Sequence, residues 1–271
     1  MHKQSIGINP SVITKPGDIW VLGNHRIMCG DSTHIANVKT LMQDEKADLA
    51  FTDPPYNVNY RGRKGKNRRA IANDDLFEDN YKQFVMEIML AHQFALKRGA
   101  SFYIFYASIY HQAFEEALRI NCFDIRSQIV WVKNHFVLSF SRYKMQHELM
   151  LYCHHKNERD AWYGDKKQTS VWQFPKPGVS KWHPTMKPVA LIERAIINSS
   201  QVGEIVVDLF GGSGSTLIAC EQQDRKARLM EIDPFYVDAT IRRWQEHTDQ
   251  EAILLHNQMT FNALAHSQSK Q

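Results

Sequence analysis

The sequence lacks several features that would assign it to a broad class. It has no run of about eighteen apolar residues, so we expect no transmembrane helix. Residues 1–10 lack the apolar core of a secretory signal. Four cysteines occur, and no two of them form a Cys-x-x-Cys pair: Cys29, Cys122, Cys153 and Cys220. A zinc ribbon and a disulfide scaffold are therefore disfavoured, and we expect reduced thiols in a cytoplasmic protein.

The composition is that of a globular protein with an uneven distribution of charge. The 271 residues include 43% hydrophobic and 23% charged residues, which suits one large α/β domain or a domain with a small lobe. The net charge is only +4, but residues 61–69 carry six basic residues and no acidic one. Residues 131–187 carry ten basic residues against four acidic ones. Two basic stretches on a slightly acidic body suggest a polyanionic partner, although one charged run alone is more often simply solvated.

Short apolar runs alternate with amphipathic helical patterns along the chain. The apolar runs predict buried strands at 26–30, 48–53, 101–107, 125–133, 147–153, 204–210 and 227–232. The periodic patterns predict helices at 80–97, 109–120, 188–200, 215–223 and 235–247. This alternation predicts a doubly wound, mostly parallel α/β sheet. Two stretches fall outside it, 57–78 and 154–186, and the second, rich in Trp, Pro, Lys and Gly, is typical of an insertion or small lobe.

A glycine-rich turn follows one of the predicted strands. Residues 204–216 read EIVVDLFGGSGST, so the strand ends in Asp208 and a helix begins at about Ser215. The next strand ends in Glu231, where an acid suits hydrogen bonding to ribose hydroxyls. The third glycine of the dinucleotide fingerprint is replaced by Leu217, and the P-loop lysine is missing. The turn therefore predicts an adenosine-type ligand without a pyrophosphate, with an ordinary strand-to-helix turn as the alternative.

The tetrapeptide Asp53-Pro54-Pro55-Tyr56 ends another predicted strand. Two prolines remove two N–H donors, which leaves the Asp53 carboxylate and the Pro54 carbonyl as acceptors beside an aromatic ring. That set suits an exocyclic amine on a flat base, because two acceptors that bind its hydrogens free its delocalised lone pair for attack on a positioned electrophile. Tyr56 could then stack on a base flipped out of a duplex. The alternative is an ordinary Pro-Pro turn with an Asp cap.

The strand with Asp-Pro-Pro-Tyr and the Phe-Gly-Gly-Ser-Gly turn with its downstream acid resemble the amino-group DNA methyltransferases that use S-adenosylmethionine. The tetrapeptide precedes the glycine turn, an order similar to the circularly permuted beta group, and residues 17–33 resemble the start of phage- and prophage-associated members. The resemblance covers roughly residues 17–250. It implies a Rossmann-like, seven-stranded, permuted methyltransferase sheet, S-adenosylmethionine as cofactor, DNA as partner, and a bacterial or phage-encoded source.

The resemblance also implies a division of the chain and a set of site residues. The division is a catalytic half at 17–153, a target-recognition insertion at 154–183, a cofactor-binding half at 184–250 and a tail at 251–271. The catalytic residues are Asp53, Pro54, Pro55 and Tyr56. The cofactor-binding residues are Asp31, Thr185, Lys187, Asp208, Phe210, Gly211, Gly212, Gly214, Ser215, Thr216 and Glu231. Of these, Asp31 would lie near the adenine amine and Glu231 at the ribose. The two residues Thr185 and Lys187 would lie near the methionine carboxylate. The strand at 147–152 matches a structural strand of the family, and we predict no chemistry there.

We predict DNA contacts in two places. The first is the 61–69 run, with Arg61, Arg63, Lys64, Lys66, Arg68 and Arg69, which we expect to bind phosphate. The second is the insertion, where Lys166 and Lys167 are the basic candidates and where Trp162, Trp172 and Trp182 lie in polar stretches that favour base contact. For Trp131, core packing is the better interpretation. An insertion of about 30 residues predicts a short or lax recognition sequence.

The sequence therefore predicts a DNA methyltransferase that modifies the N6 amine of adenine, since Asp before Pro-Pro-Tyr favours adenine in the resembled family. N4-cytosine is the alternative target. From another class, the chain could be a non-catalytic DNA-binding module that retained a methyltransferase core. We expect no metal, because His147, Cys153, His154 and His155 match no structural zinc spacing. We expect a monomer or a homodimer.

Overall fold

The structure is a computed structural model that describes residues 12–59, 72–136, 142–177 and 186–268. The strands are β1 Ile19–Leu22, β2 His25–Cys29, β3 Ala47–Thr52, β4 Leu96–Tyr106, β5 Phe123–Val132, β6 His147–His155, β7 Val171–Gln173, β8 Ile205–Asp208, β9 Lys226–Glu231 and β10 Ile253–Leu254. The helices are α1 Ile35–Met42, α2 Glu78–Ala95, α3 His111–Ile120, α4 Val189–Ser199, α5 Ser215–Gln222, α6 Pro234–Thr248 and α7 Phe261–Gln268, with a 3-10 turn at Ser108–Tyr110.

The strands form one mixed sheet in the order β10-β1-β2-β9-β8-β3-β4-β6-β5-β7. Strands β2, β9, β8, β3 and β4 are parallel to one another, and β6 runs antiparallel between β4 and β5. The chain moves outward from β3 to β4 on one side and from β8 to β9 on the other, so β3 and β8 meet at a switch point. In such sheets, ligands bind at the carboxyl ends of the strands beside the switch point.

All seven predicted strands are present, and they occupy seven adjacent positions in the sheet, in the order β2-β9-β8-β3-β4-β6-β5. The count of seven is nevertheless too low, because the described sheet has three more strands at its edges. Strands β1 and β10 extend one edge and β7 extends the other. These three strands have four, two and three residues, which is too short for a periodic pattern to show.

Helices cover both faces of the sheet, as the predicted alternation requires. Helices α1, α2 and α3 pack on one face, and α4 to α7 contribute to the core on the other. The predicted stripe of α2 is confirmed, since Tyr81, Phe84, Val85, Ile88 and Met89 are all buried. Within the described part of the chain, no helix is both long and apolar enough to span a membrane.

Residues 156–177 pack along an edge of the sheet and against α4. Trp172 of β7 is 2% exposed and lies in the core, so the prediction that it contacts bases is wrong. The Arg194 guanidinium covers the Trp172 ring at 4.7 Å, and the indole N–H donates to the Thr169 carbonyl. Trp162 is exposed, and Trp131 is buried as predicted. Trp182 lies outside the described residues. The proposed division into two halves, an insertion and a tail stays a prediction.

Candidate active site

Four neighbouring parallel strands each lead into an acidic residue at the same edge of the sheet. Asp31 follows β2, Glu231 ends β9, Asp208 ends β8 and Asp53 follows β3. Because the carboxyl ends of parallel strands share one edge, the four acids form a row across the switch point. The sequence placed these acids on separate strands, and the sheet order makes them neighbours.

Asp208 organises the glycine turn. Its Oδ1 accepts from Thr52 Oγ1 at 2.9 Å and from the Phe210 N–H at 3.0 Å, and its Oδ2 accepts from Thr216 Oγ1 at 2.6 Å. Burial raises the pKa of Asp208 to about 6, against the effect of these donors. The carboxylate thus connects β3, the turn and α5. This arrangement gives Asp208 a role in shaping the glycine turn.

The glycine turn is packed so closely that side chains are excluded. Gly212 and Gly214 have φ values of 52° and 75°, and a Cβ on Gly214 would lie 2.5 Å from Thr240 Cγ2. A Cβ on Gly211 would lie 3.1 Å from the Leu229 side chain. Thr240 Oγ1 also donates to the Gly212 carbonyl at 3.0 Å, which fixes the turn against α6. Helix α5 starts directly after Gly214 without a side-chain cap, so its first N–H groups face the turn.

Glu231 and Asp31 lie on neighbouring strand ends beside this turn. Glu231 Oε2 accepts from the Gly212 N–H and Oε1 from the Asp233 N–H, both at 2.9 Å, so each oxygen keeps lone-pair capacity for a further donor. Burial raises the pKa of Glu231 to about 7. Asp31 Oδ1 accepts from the backbone and hydroxyl of Thr33, and its side chain is 32% exposed. Two acids that retain acceptor capacity, beside a turn closed to Cβ atoms, suit the hydroxyls and amine of an adenosine.

The Asp-Pro-Pro-Tyr segment is held rigidly beyond the end of β3. The Tyr81 hydroxyl donates to the Pro55 carbonyl at 2.8 Å, and Pro54 is buried. The Tyr56 hydroxyl lies 2.8 Å from Asp53 Oδ1. Burial raises the pKa of Tyr56 well above its usual value, so the hydroxyl keeps its proton. Asp53 remains partly accessible, with 26% of its side chain exposed.

Lys187, Glu148 and Lys133 complete the surroundings of Asp53. The Lys187 ammonium forms an ion pair with Asp53 Oδ2 and lies 3.0 Å from Glu148 Oε2. Lys133 Nζ lies 2.6 Å from Glu148 Oε1. Burial opposes ionisation of Glu148, but Lys187 and Lys133 together lower its pKa to about 2. Burial raises the pKa of Asp53, and the charge of Glu148 adds to that rise while Lys187 opposes it.

Sequence reasoning missed two of these residues. Glu148 is the second residue of β6, a strand for which we predicted no chemistry, and Lys133 directly follows β5. The available signal was a charged residue at the end of an otherwise apolar run, in each case beside the sheet edge that carries Asp53. Lys187 was predicted as a cofactor ligand. The structure places its ammonium on Asp53 and Glu148, and its role toward the cofactor stays a prediction.

Most of the predicted site residues lie together at this edge. Phe210 packs against Phe84 with ring centroids 5.9 Å apart, and Ser215 Oγ lies 3.1 Å from the Arg243 guanidinium. The predicted residues of the 61–69 run, together with Thr185, lie outside the described residues.

Lys166 and Lys167 are not brought to the site. The adjacent Gln168 accepts from Arg194 and Asn198 in the C-terminal half of α4. Helix α4 starts next to Lys187 at the Asp53 edge and runs toward the opposite edge, so Asn198 lies roughly 15 Å along its axis. Both lysines are exposed, and the Lys167 N–H donates to the Asp165 side chain. Their contact with DNA stays a prediction that this position does not favour.

The described residues contain no cluster of three or more His, Cys, Asp or Glu placed to hold a metal ion. Cys29, Cys153 and Cys220 are buried, and burial raises the pKa of each thiol, that of Cys29 to about 12. These three thiols therefore remain protonated at neutral pH and do not supply the thiolate that covalent catalysis would need.

Comparison with known proteins agrees with this geometry. Residues 47–242 match the family of DNA methylases designated N6_N4_Mtase. The chain is 29% identical over 233 residues to the type II methyltransferase M2.MboI of Moraxella bovis, covering 76% of this chain and 83% of that protein. It is also 29% identical over 235 residues to the DNA adenine methyltransferase YhdJ of Escherichia coli K12, covering 73% and 76%.

Solved structures share the fold. The PvuII DNA methyltransferase, described as cytosine-N4-specific, aligns with a TM-score of 0.69 at 18% identity, covering 92% of this chain and 93% of that one. The complex of M1.HpyAVI with S-adenosylmethionine aligns with a TM-score of 0.63 at 24% identity, covering 80% and 97%. The chain therefore belongs to the S-adenosylmethionine-dependent DNA methyltransferases, with S-adenosylmethionine as its cofactor and DNA as its substrate.

Proposed function

We propose that this protein methylates the exocyclic N6 amine of an adenine flipped out of DNA. The observation that carries the proposal is the Asp53 carboxylate, held after β3 beside a turn that suits an adenosine. Thr52, the residue before Asp53, is hydrogen-bonded to Asp208 of that turn, so the amine site and the cofactor site are directly connected. S-adenosylmethionine supplies a methyl group bound to a positively charged sulfur.

Asp53 and Pro54 bind the amine in this proposal. The carboxylate and the Pro54 carbonyl accept its two hydrogens and direct its lone pair toward the methyl group. The amine nitrogen bonds to the methyl carbon as the bond from that carbon to sulfur breaks, and the sulfur leaves as a neutral thioether. The Asp53 carboxylate can take the proton that the amine loses and release it to solvent. Because burial raises the pKa of Asp53, the carboxylate is a better base than an exposed aspartate. Tyr56 holds one Asp53 oxygen and offers its ring to the base.

Glu231, Asp31 and the glycine turn hold the cofactor in this proposal. The free lone pairs of Glu231 accept from ribose hydroxyls, and Asp31 on the next strand end accepts from the adenine amine. Residues Gly212 and Gly214 allow the backbone to approach the ligand, while Ser215 and Thr216 open α5 behind it. The family pattern implies Thr185 near the methionine carboxylate, whereas the Lys187 ammonium, which that pattern also assigns there, is paired with Asp53 and Glu148 and is given to the amine side of the site in this proposal.

The connections at the Asp53 edge support DNA as the molecule bound there. Three connections start or end at this edge in the described residues: 57–77 after β3, 133–146 between β5 and β6, and 174–186 after β7. They contain six, three and two basic residues, and only the first contains acidic ones, two in number. The excess of positive charge in the sequence of these three connections suits binding of the phosphate backbone.

Adenine is proposed over cytosine on two grounds. Aspartate precedes Pro-Pro-Tyr, which favours adenine in the resembled family, and the relative YhdJ is named a DNA adenine methyltransferase. The fold similarity to the cytosine-N4-specific PvuII enzyme keeps N4-cytosine as the second candidate. Base-resolution mapping of unmethylated genomic DNA after incubation with protein and S-adenosylmethionine distinguishes the two by the modified base.

The mechanistic test is Asp53→Ala, with Asp79→Ala as the matched control because Asp79 is exposed on α2. We expect Asp53→Ala to lower methyl transfer by about two or more orders of magnitude while S-adenosylmethionine affinity, measured by calorimetry, stays unchanged. Near-normal turnover of Asp53→Ala would remove Asp53 from the mechanism. Cofactor binding by the wild-type protein with no methyl transfer to any DNA would instead identify a non-catalytic DNA-binding module.

A further inference from the structure

The carboxylate of Glu148 lies across β4 from Asp53, on the same face of the sheet. Strand β6 runs antiparallel between β4 and β5, so its first residues, and not its last, reach the edge where β3 ends. The Lys187 ammonium lies between the two carboxylates, 4.6 Å from the Phe105 ring of β4. One buried lysine, 8% exposed, is thus shared by Asp53 and Glu148.

Four charged side chains form a series of three ion pairs in which positive and negative charges alternate. Lys133 pairs with Glu148 Oε1, Glu148 Oε2 with Lys187, and Lys187 with Asp53 Oδ2. The Tyr56 hydroxyl lies near both carboxylates, 2.8 Å from Asp53 Oδ1 and 3.1 Å from Glu148 Oε2. Both oxygens of Asp53 therefore have fixed partners, and each keeps one lone-pair direction for a further donor.

The sharing of Lys187 matters because Asp53 must stay a good acceptor. A lysine paired only with Asp53 would lower the pKa of the carboxylate more strongly, and it would compete with an incoming amine for the lone pairs of Asp53. The negative charge of Glu148 offsets part of the positive potential of Lys187 at Asp53, and Lys133 balances the charge of Glu148. Removal of a partner from such a buried arrangement leaves an uncompensated charge, so each member depends on the others.

We propose that Glu148 is a positioning residue for methyl transfer: by holding Lys187 and the Tyr56 hydroxyl, it orients Asp53 and preserves its strength as an acceptor for the substrate amine. This inference rests on the proposed function, because it gives Glu148 a role only if Asp53 binds the amine. The partners of Glu148 in the described part of the chain belong to the Asp53 side of the site, and not to the cofactor residues on β8, β9 and β2. Its effect should therefore fall on turnover and not on cofactor affinity.

The first test is Glu148→Gln, which keeps the shape of the side chain and removes its charge. We expect kcat to fall about 10- to 100-fold, with the Kd for S-adenosylmethionine and the KM for DNA unchanged. The acid limb of the kcat–pH profile should move to lower pH. Lys187, Glu148, Tyr56 and Asp208 are the titratable groups that act on Asp53, and loss of the Glu148 charge removes one that raises its pKa.

Stability and turnover are separated by the double variant Lys133→Gln/Glu148→Gln. The single change leaves Lys133 buried and unpaired, so part of the loss could reflect a weakened fold. The double change removes both charges and should restore thermal stability toward that of the wild type. Because Lys187 then still pairs with Asp53 alone, we expect kcat to stay low. Recovery of kcat together with stability would overturn the proposal.

Glu45→Gln is the matched control. Glu45 is also a carboxylate shared by two cations, at 2.9 Å from Arg26 and 2.8 Å from Arg228, but it lies away from Asp53. We expect Glu45→Gln to lower stability without changing kcat or the pH profile. An unchanged kcat and pH profile in Glu148→Gln, in a protein where Asp53→Ala is inactive, would overturn the role of Glu148 alone. An active Asp53→Ala would overturn the proposed function first.

Discussion

Replacing Gly214 by alanine tests how tightly the cofactor turn is packed. Gly214 has a φ of 75°, in the left-handed region, and a Cβ there would lie 2.5 Å from Thr240 Cγ2 and 3.0 Å from Thr240 Oγ1. Two separate penalties therefore add: the strained backbone conformation and the overlap with α6. The substitution is conservative in chemistry, so any loss reports on geometry.

Each penalty has an expected size. A non-glycine residue in the left-handed region costs about 1–2 kcal/mol. Forcing an additional methyl group into a packed site costs about 1–3 kcal/mol. We therefore expect Gly214→Ala to lower the free energy of unfolding by roughly 2–5 kcal/mol. Since relief of the overlap moves the turn that donates the Gly212 N–H to Glu231, S-adenosylmethionine affinity should also fall.

The assay is equilibrium urea unfolding, with Gly203→Ala as the control. Gly203 has a φ of 80°, but a Cβ at this position would have no atom within 4 Å, so that variant isolates the backbone cost. Thr240→Ser should rescue Gly214→Ala in part, because serine removes the overlapping Cγ2 and keeps the hydroxyl that donates to Gly212. Equal losses for the two glycine variants, or no rescue by Thr240→Ser, would refute the packing argument.

Three further outcomes are expected. Burial raises the pKa of folded Glu231 from 4.5 to about 7, so the free energy of unfolding of the cofactor-free protein should fall as pH rises through that range. In urea unfolding, Glu231→Gln should show a weaker dependence of that free energy on pH, and an unchanged dependence would contradict the pKa shift. Trp172→Ala should cost about 3–5 kcal/mol in urea unfolding, whereas Trp162→Ala, at an exposed position, should cost far less; similar losses would contradict the burial difference. Neutralising the six basic residues of 61–69 should weaken binding to all DNA sequences. The slope of the log binding constant against log salt concentration should become shallower by about 0.9 for each phosphate that is no longer bound. A changed methylation site at an unchanged salt slope would contradict a phosphate-binding role.

The central strands and the two principal motifs could be predicted because their causes are local. A strand buried on both faces must be apolar throughout, so β3, β4 and β8 are visible as runs of apolar residues. The glycine turn is visible because its backbone conformation excludes side chains, as the contact between Gly214 and Thr240 illustrates. Asp53 was identified because two prolines beside a strand end leave only acceptors.

The partners of Asp53 could not be predicted because they depend on long-range strand order. Glu148 is 95 positions from Asp53 in the chain, and it reaches the site only because β6 enters the sheet in the antiparallel direction. A prediction of strands alone does not determine that direction. Trp172 was misassigned for a related reason: its neighbours in sequence are polar, while its burial comes from Arg194 on α4 and from the pairing of β7 with β5.

The same geometry changes where the target sequence is expected to be read. The sequence predicts recognition by 154–183 because this stretch lies outside the strand pattern, is long enough to form a reader and joins the two halves of the active site. Within it, Tyr163 and Gln168 contact Asn198 near the C-terminus of α4, whereas a base bound by Asp53 must enter at the opposite edge. Only segments of the polypeptide that lie at that edge can contact both the flipped base and the neighbouring bases in the duplex. In the described residues, 133–136 and 142–146 around the β5–β6 connection and 174–177 after β7 meet this requirement. Recognition is therefore better assigned to these connections, with 57–59 and 72–77 after β3, than to the segment around Lys166 and Lys167.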